Sequence, residues 1–310
     1  QRFRLPGRRW DDVLMDGWAF AKGHGTGNDF VILPDPDGTL PLTSTLVAAL
    51  CDRRRGIGAD GVLRVVRTAA HPDAMALGDT AEWFMDYWNS DGSLAEICGN
   101  GVRVFARYLV DSGLVAGDRL RVVTRAGIVA VQVSHGVVAV EMGQPRVYAT
   151  STASILGHRF PGTVVDVGNP HLVCATDDAT LSGLNLTAPP VVDPEVFPSG
   201  VNVEFSASGP PPAGTDLYER MRVYERGSGE TLSCGSGACA VAAVALRDAG
   251  ATAGVVVVDV PGGRLTVTFD DGGCWLAGPA VIVARGTLDP SAVGGLSTER
   301  VGAPTPTIGH

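Results

Sequence analysis

The sequence predicts an α/β chain of the α+β type, built mostly from short strands, in which one structural unit is used twice. Three observations carry this. Gly 41 and Pro 20 among 310 residues break the chain into short segments, as many turns and strands require. Apolar residues make up 45% and charged residues only 18%, enough to fill a core and below the roughly 25% charged fraction of an average soluble protein. Finally, a Cys-Gly-x-Gly turn followed by an apolar helical stretch and a glycine stop occurs at 98–113 and again at 234–250.

Taken in order, residues 1–17 lack periodicity and read as an N-terminal arm, its arginines Arg2, Arg4, Arg8 and Arg9 interrupted by Pro6 and Gly7. Strands are expected over 30–33, 62–66, 82–88, 120–123 and 128–133, each bounded by Gly, Asp, Asn or Pro. The stretch 82–88 alternates as a half-buried strand does. A helix is expected over 44–51, capped by Thr43 or Ser44. Further strands are expected over 163–167, 171–174, 201–205, 217–224, 255–260, 265–269 and 280–284, with an exposed Pro/Gly/Ser loop over 206–215. Beyond 287 the chain turns polar and Pro-rich, as a poorly ordered tail does. The two helices of the repeat are apolar nearly all round, which predicts that strands enclose them.

A net charge of −9 disfavours nucleic acid, whose recognition needs clustered Lys and Arg. No apolar run reaches the ~20 residues of a membrane span, and no signal-peptide core is visible. Six widely spread cysteines, Cys51, Cys98, Cys174, Cys234, Cys239 and Cys274, do not form the dense pattern of a disulfide scaffold; a reducing cytoplasm is the expected setting. Neither Cys234 with Cys239 nor the six histidines have zinc-ligand spacing, so no metal is expected. Gly56-Ile57-Gly58-Ala59-Asp60-Gly61 matches the dinucleotide fingerprint in letters only, because strand-like residues follow it where a helix is required. Arg53-Arg54-Arg55 suits either an anion or a solvated turn. The only lysine, Lys22, has no phosphate-binding context beside it.

Packing alone gives no reason for the same residue to precede a Gly-rich helix start twice, whereas Cys51, Cys174, Cys239 and Cys274 read as packing residues. Chemistry does give a reason. A helix N-terminus leaves N–H groups unpaired and partly positive. It is expected to lower a thiol's pKa and to hold a carboxylate. Two such sites suit the inversion of a stereocentre, in which Cys98 takes a proton on one face while Cys234 delivers one on the other, or the reverse.

Several motifs in order resemble those of the diaminopimelate epimerase family across Lys22 to Gly286. They are Lys22-Gly23-His24-Gly25-Thr26-Gly27-Asn28-Asp29, the 52–61 segment, Asn89-Ser90-Asp91-Gly92, Gly168-Asn169-Pro170-His171, Val201-Asn202-Val203, Tyr224-Glu225-Arg226-Gly227 and both Cys-Gly-x-Gly turns. The resemblance implies two pseudo-symmetric lobes, each a mostly antiparallel sheet wrapped around a central helix. The first lobe would span 18–145 plus 274–288, the second 146–273, and a C-terminal tail 289–310. It implies a cofactor-independent interconversion of LL- and meso-diaminopimelate in lysine and peptidoglycan precursor synthesis, performed by a homodimer. Cys98 and Cys234 would be the acid/base pair, and Gly99, Asn100, Gly235 and Ser236 would hold the reacting carboxylate. Asn28, Asn89, Asn169, Asn202, Glu225 and Arg226 would bind the remainder of this small-molecule substrate, with His171 and Glu225 tuning the thiols. Some members carry a substrate-binding Gln where this chain has Gly61. Proline racemases and hydroxyproline epimerases resemble the same two-cysteine plan, and a thiol switch joining Cys98 to Cys234 is a reading of another class.

Overall fold

The computed structural model describes residues 17–77, 81–134, 136–289 and 293. The expected arm, apart from Gly17, and most of the expected tail lie outside them. Seven strands come first: β1 Trp18–Gly25, β2 Asn28–Pro34, β3 Gly61–Arg67, β4 Trp83–Asn89, β5 Arg119–Thr124, β6 Gly127–Ser134 and β7 Val137–Glu141. Three helices lie among them: α1 Ser44–Cys51, α2 Pro72–Ala76 and α3 Gly99–Asp111. The second half holds β8 Arg146–Ile155, β9 His158–Asp166, β10 Pro170–Ala175, β11 Asn202–Ser208, β12 Leu217–Glu225 and the short β13 Gly229–Thr231. After these come β14 Gly254–Val260, β15 Gly263–Asp270, β16 Gly273–Gly278 and β17 Val281–Leu288, with helices α4 Asp178–Gly183 and α5 Gly235–Asp248.

Strand directions expose the duplication. Along β17-β1-β2-β3-β4-β5-β6-β7 neighbours run antiparallel, antiparallel, parallel, antiparallel, parallel, antiparallel, antiparallel. Along β8-β9-β10-β11-β12-β14-β15-β16 the same sequence of directions recurs. The two runs join where β7 pairs antiparallel with β16. Within 274–288, the piece the resemblance joined to the first lobe, there are two strands: β16 lies between β15 and β7, whereas β17, expected over 280–284, crosses back to pair with β1.

Each sheet curls around its long helix. Val102, Val104, Phe105, Ala106 and Leu109 of α3 pack on Phe30, Leu63, Met85, Val122 and Val140. Ala238, Ala240, Val241, Val244 and Leu246 of α5 pack on Val165, Val223, Val256, Val267 and Leu276. Ala and Val let strands approach α5 closely, and burial of this apolar area is the main stabilising term. Both helices stop on a left-handed glycine, Gly113 (φ 70°) and Gly250 (φ 73°). Leu114 and Ala251 N–H groups then reach back to Leu109 and Leu246 carbonyls, each at 2.9 Å, the paired-bond ending that relieves orphan carbonyls.

Two expectations need correction. The α3 helix is not apolar all round, since it buries Asn100 and Arg103. The β4 strand is not half-buried: Trp83 to Tyr87 are all buried. Its polar member survives because Arg125 and Arg64 pair with Asp86 at 2.6 and 3.5 Å, which compensates a buried carboxylate. Strands β7, β8 and β16 escape the sequence pattern. The β8 strand is largely exposed along its first half, and β16 is six residues framed by glycines.

Candidate active site

Cys98 and Cys234 are the N-cap residues of α3 and α5, in near-identical extended conformations (φ −142°, ψ 117° and φ −121°, ψ 116°). Each Sγ accepts the N–H three residues on, from Gly101 and Gly237, at 3.4 Å in both cases. Cysteine is outside the set of good N-caps, so capping does not account for its place at both helix starts.

The two starts converge. A Cβ built on Gly235 would lie 3.6 Å from Gly99 Cα, an ordinary contact distance, and 2.8 Å from Leu276 Cδ2, so the two helix starts lie against each other. The Asn100 side chain, from α3, donates to the Ser233 carbonyl at 3.0 Å, one residue before Cys234. Thr26 Oγ1 lies 2.6 Å from Ser233 Oγ. Thr26 itself is a buried non-glycine at φ 50°, a conformation that costs energy and is kept where surroundings over-determine it. The glycine that allows this is Gly262, whose Cβ would sit 1.8 Å from the Thr26 carbonyl oxygen.

The expected lowering of the thiol pKa values is overturned. Burial pushes Cys98 up to about 11, with the Gly101 and Asn100 N–H groups only partly offsetting it. Cys234 is raised well above the usual thiol value, by burial first and then by the Glu225 and Glu204 carboxylates. The positive helix end is thus outweighed by desolvation. Glu225 acts on both thiols, which places it beside the pair. Two surface depressions, of about 700 and 420 Å³, are lined by other residues, and Cys234 is only 5% exposed.

The other expected residues sort by how their side chains are engaged. Asn28 Oδ1 accepts from Cys98 Sγ (3.6 Å) and from Asn100 Nδ2 (3.3 Å). His171 bridges Glu204 (2.7 Å) and Asn169 (2.9 Å), so it reaches the thiols through Glu204. Asn202 accepts from the Arg226 backbone N–H at 2.9 Å, and Arg226 reaches the Ser199 carbonyl at 3.1 Å. Ser236 Oγ lies 3.6 Å from Cys234 Sγ. The Asn89 side chain bonds Ser93 Oγ at 3.0 Å within its own turn. Lys22 is tied to Asp29 at 2.6 Å, and Arg53 pairs with Asp29 and Asp60 at 2.7 Å, leaving the arginine run no separate anion role through Arg53.

The model of the family described as "Diaminopimelate epimerase" matches residues 20–148 and 163–287. The chain belongs to the diaminopimelate epimerase family. It is 52% identical to the diaminopimelate epimerase of Rhodococcus opacus, over 90% of this chain and 99% of that protein. The Streptomyces coelicolor diaminopimelate epimerase is 51% identical, with 90% and 98% covered. Among solved structures, a phenazine biosynthesis protein of the PhzF family from Bacillus anthracis aligns at TM-score 0.64 and 17% identity, covering 88% of this chain and 99% of that one. A probable proline racemase from Agrobacterium radiobacter with bound carbonate aligns at 0.62 and 18%, covering 89% and 96%. At such identities these structures share the fold alone. As a diaminopimelate epimerase family member the chain is an isomerase of the epimerase type.

The departure from the family pattern at Gly61 has a steric basis. A Cβ there would lie 2.5 Å from the Trp88 carbonyl oxygen and 2.8 Å from Tyr87 Cε2. The Tyr87 ring occupies the space that a side chain would need. Sequence reasoning missed Tyr87, Glu204 and Arg103. For Glu204 a signal was present: the second glycine of Cys-Gly-Ser-Gly leaves room for it, since a Cβ on Gly237 would sit 2.7 Å from Glu204 Oε1.

Proposed function

We propose that the chain interconverts LL- and meso-diaminopimelate by removing the α-proton with one of Cys98 and Cys234 and delivering a proton from the other, with no pyridoxal phosphate or metal taking part. The observation that carries this reading is the convergence of two cysteine-capped helix starts beside one shared carboxyl, Glu225. In this scheme the substrate α-carboxylate lies against the N–H groups of Gly99, Asn100, Gly235 and Ser236, which have no partner within their helices. Both thiols are neutral before substrate arrives. When substrate binds, one thiol passes its proton to the Glu225 carboxylate beside the pair, and the α-ammonium supplies the positive charge that favours the resulting thiolate. The thiolate takes Hα, the carbanion electrons spread onto the carboxylate held by the N–H groups, and the opposite thiol gives its proton to the other face.

The distal amino-acid head is read by Asn28, Asn89, Asn169, Asn202, Glu225 and Arg226, whose amides, carboxylate and guanidinium complement an ammonium and a carboxylate. His171 and Glu225 tune the thiols. We place the enzyme in the cytoplasm as a homodimer; six free cysteines support the reducing setting.

The test is incubation with LL-diaminopimelate in deuterated water without added pyridoxal phosphate. Meso product carrying deuterium at the inverted carbon is expected. Turnover of proline with none of diaminopimelate would move the assignment to a racemase of ring amino acids.

A further inference from the structure

Arg103 is a fully buried side chain on α3, and among the described residues no carboxylate pairs with it. Its guanidinium donates to Asn100 Oδ1 (2.7 Å), Thr26 Oγ1 (3.1 Å) and the Gly99 carbonyl (3.4 Å), while Nε has no partner. A slot is built for it. A Cβ on Gly25 would lie 3.1 Å from one terminal nitrogen, and a Cβ on Gly278 would lie 3.3 Å from Nε. Gly25 belongs to β1 and Gly278 to β16, one in each of the two matching strand runs.

A lone buried cation is costly, and structures keep one where its charge or its bonds are needed elsewhere. Here the need is visible. The two side chains that Arg103 grips, Asn100 and Thr26, are the two that bond Ser233, the residue before Cys234. With Asn100 Oδ1 turned to Arg103, its Nδ2 is left to donate to Ser233 and Asn28. The second unit has no arginine at the matching position: five residues after Cys98 comes Arg103, but five after Cys234 comes Cys239. One cation serves both helix starts.

We propose that Arg103 is the positioning residue of the site, setting the spacing of the two helix starts through Asn100 and Thr26 and favouring the thiolate at Cys98 by its charge. This rests on the two-thiol reading above. Burial brings Arg103 down to about 10, so it is cationic at neutral pH. The ionisable groups around it are Cys98 on its own helix and Cys239 on α5. Around Cys98 the opposing group is Glu225 on β12.

The experiment compares the wild type with Arg103→Met and Arg103→Lys. Three quantities are read: the pH dependence of iodoacetamide labelling at Cys98, followed on its own peptide; kcat for diaminopimelate; and the melting temperature. Arg103→Met is expected to label about tenfold more slowly at pH 8.5, its alkaline limb moved up by about one unit. Its kcat falls at least as far, while melting stays within a few degrees because an unpaired charge has left the interior. Arg103→Lys keeps the limb in place but loses the fork, so kcat alone falls, by about tenfold. A wild-type limb and wild-type kcat in Arg103→Met overturn the proposal. So does a loss of kcat that only tracks a loss of folded protein, with the limb unmoved. Should Arg103→Met not accumulate, unchanged kcat in Arg103→Lys overturns it. If the wild type turns over no diaminopimelate yet the limb still moves, the reaction reading fails and the electrostatic role of Arg103 stands.

Discussion

At Cys98 and Cys234 two effects oppose each other, and burial wins. Both thiols cap helices, yet burial pushes Cys98 up to about 11, and burial first, then Glu225 and Glu204, raises Cys234 well above its usual range. Labelling by iodoacetamide should therefore rise about tenfold per pH unit from pH 7 and level off near 11 at Cys98. Cys234, more buried and facing two carboxylates, should react more slowly at every pH; a faster Cys234 would contradict this electrostatic order. The two cysteines were legible in the sequence because their setting repeats. Their charged neighbours were less so: Glu204 left only the indirect mark of a glycine at 237, and Arg103 meets the site through packing of α3 against distant strands, of which a single sequence carries no trace. Asn28 and Asn202 were found through motif resemblance, whereas the direction of the thiol shift was misjudged because burial depth cannot be read from a helix-start pattern.

The helices α3 and α5 were visible as elements because apolar residues, glycine starts and glycine stops all agreed. Those stops give a clean test, since a Cβ on Gly113 or Gly250 meets nothing within 4 Å. Alanine at either position should cost about 1–2 kcal/mol from the left-handed backbone alone, measured by urea denaturation, and a neutral result would remove the cap assignment. The starts should behave unequally. Gly237→Ala drives a methyl to 2.7 Å from Glu204 Oε1, whereas Gly101→Ala meets its nearest neighbour, Leu63 Cδ2, at 3.3 Å. The former should destabilise by about 1–3 kcal/mol and the latter by less. Equal effects would show that Glu204 yields freely. Strands β8 and β16 stayed hidden because one is solvated along half its length and the other is fenced by glycines, so neither shows a period of two.

Across the whole molecule the matching strand directions of the two runs mark a duplication, and the two helix starts meet beside Leu276 of β16, the strand that pairs with β7. The repeat in the sequence announced this plan, while the crossing of β17 back to β1 was available only from resemblance. Burial of thiols throughout also sets a pH limit. Cys51, Cys98 and Cys174 are raised from 9.0 to about 11, 11 and 12. Below pH 9 all are protonated whether folded or not. From pH 9 upward the unfolded chain loses protons first, so stability should fall by about 1.4 kcal/mol per unit for each thiol until the folded pKa is passed. Urea midpoints between pH 8 and 11 under reducing conditions should drop, and Cys174→Ala should lessen the slope. A flat profile would contradict it.

The most direct measurement of the two-face chemistry is α-hydrogen exchange with solvent in Cys98→Ala and Cys234→Ala, followed separately on the LL and the meso isomer. Each variant retains one sulfur on one face. Each should wash out the hydrogen of a single configuration, opposite in the two variants, and neither should invert the carbon. Inversion that persists with one sulfur, or exchange of both configurations by the same variant, would contradict the account.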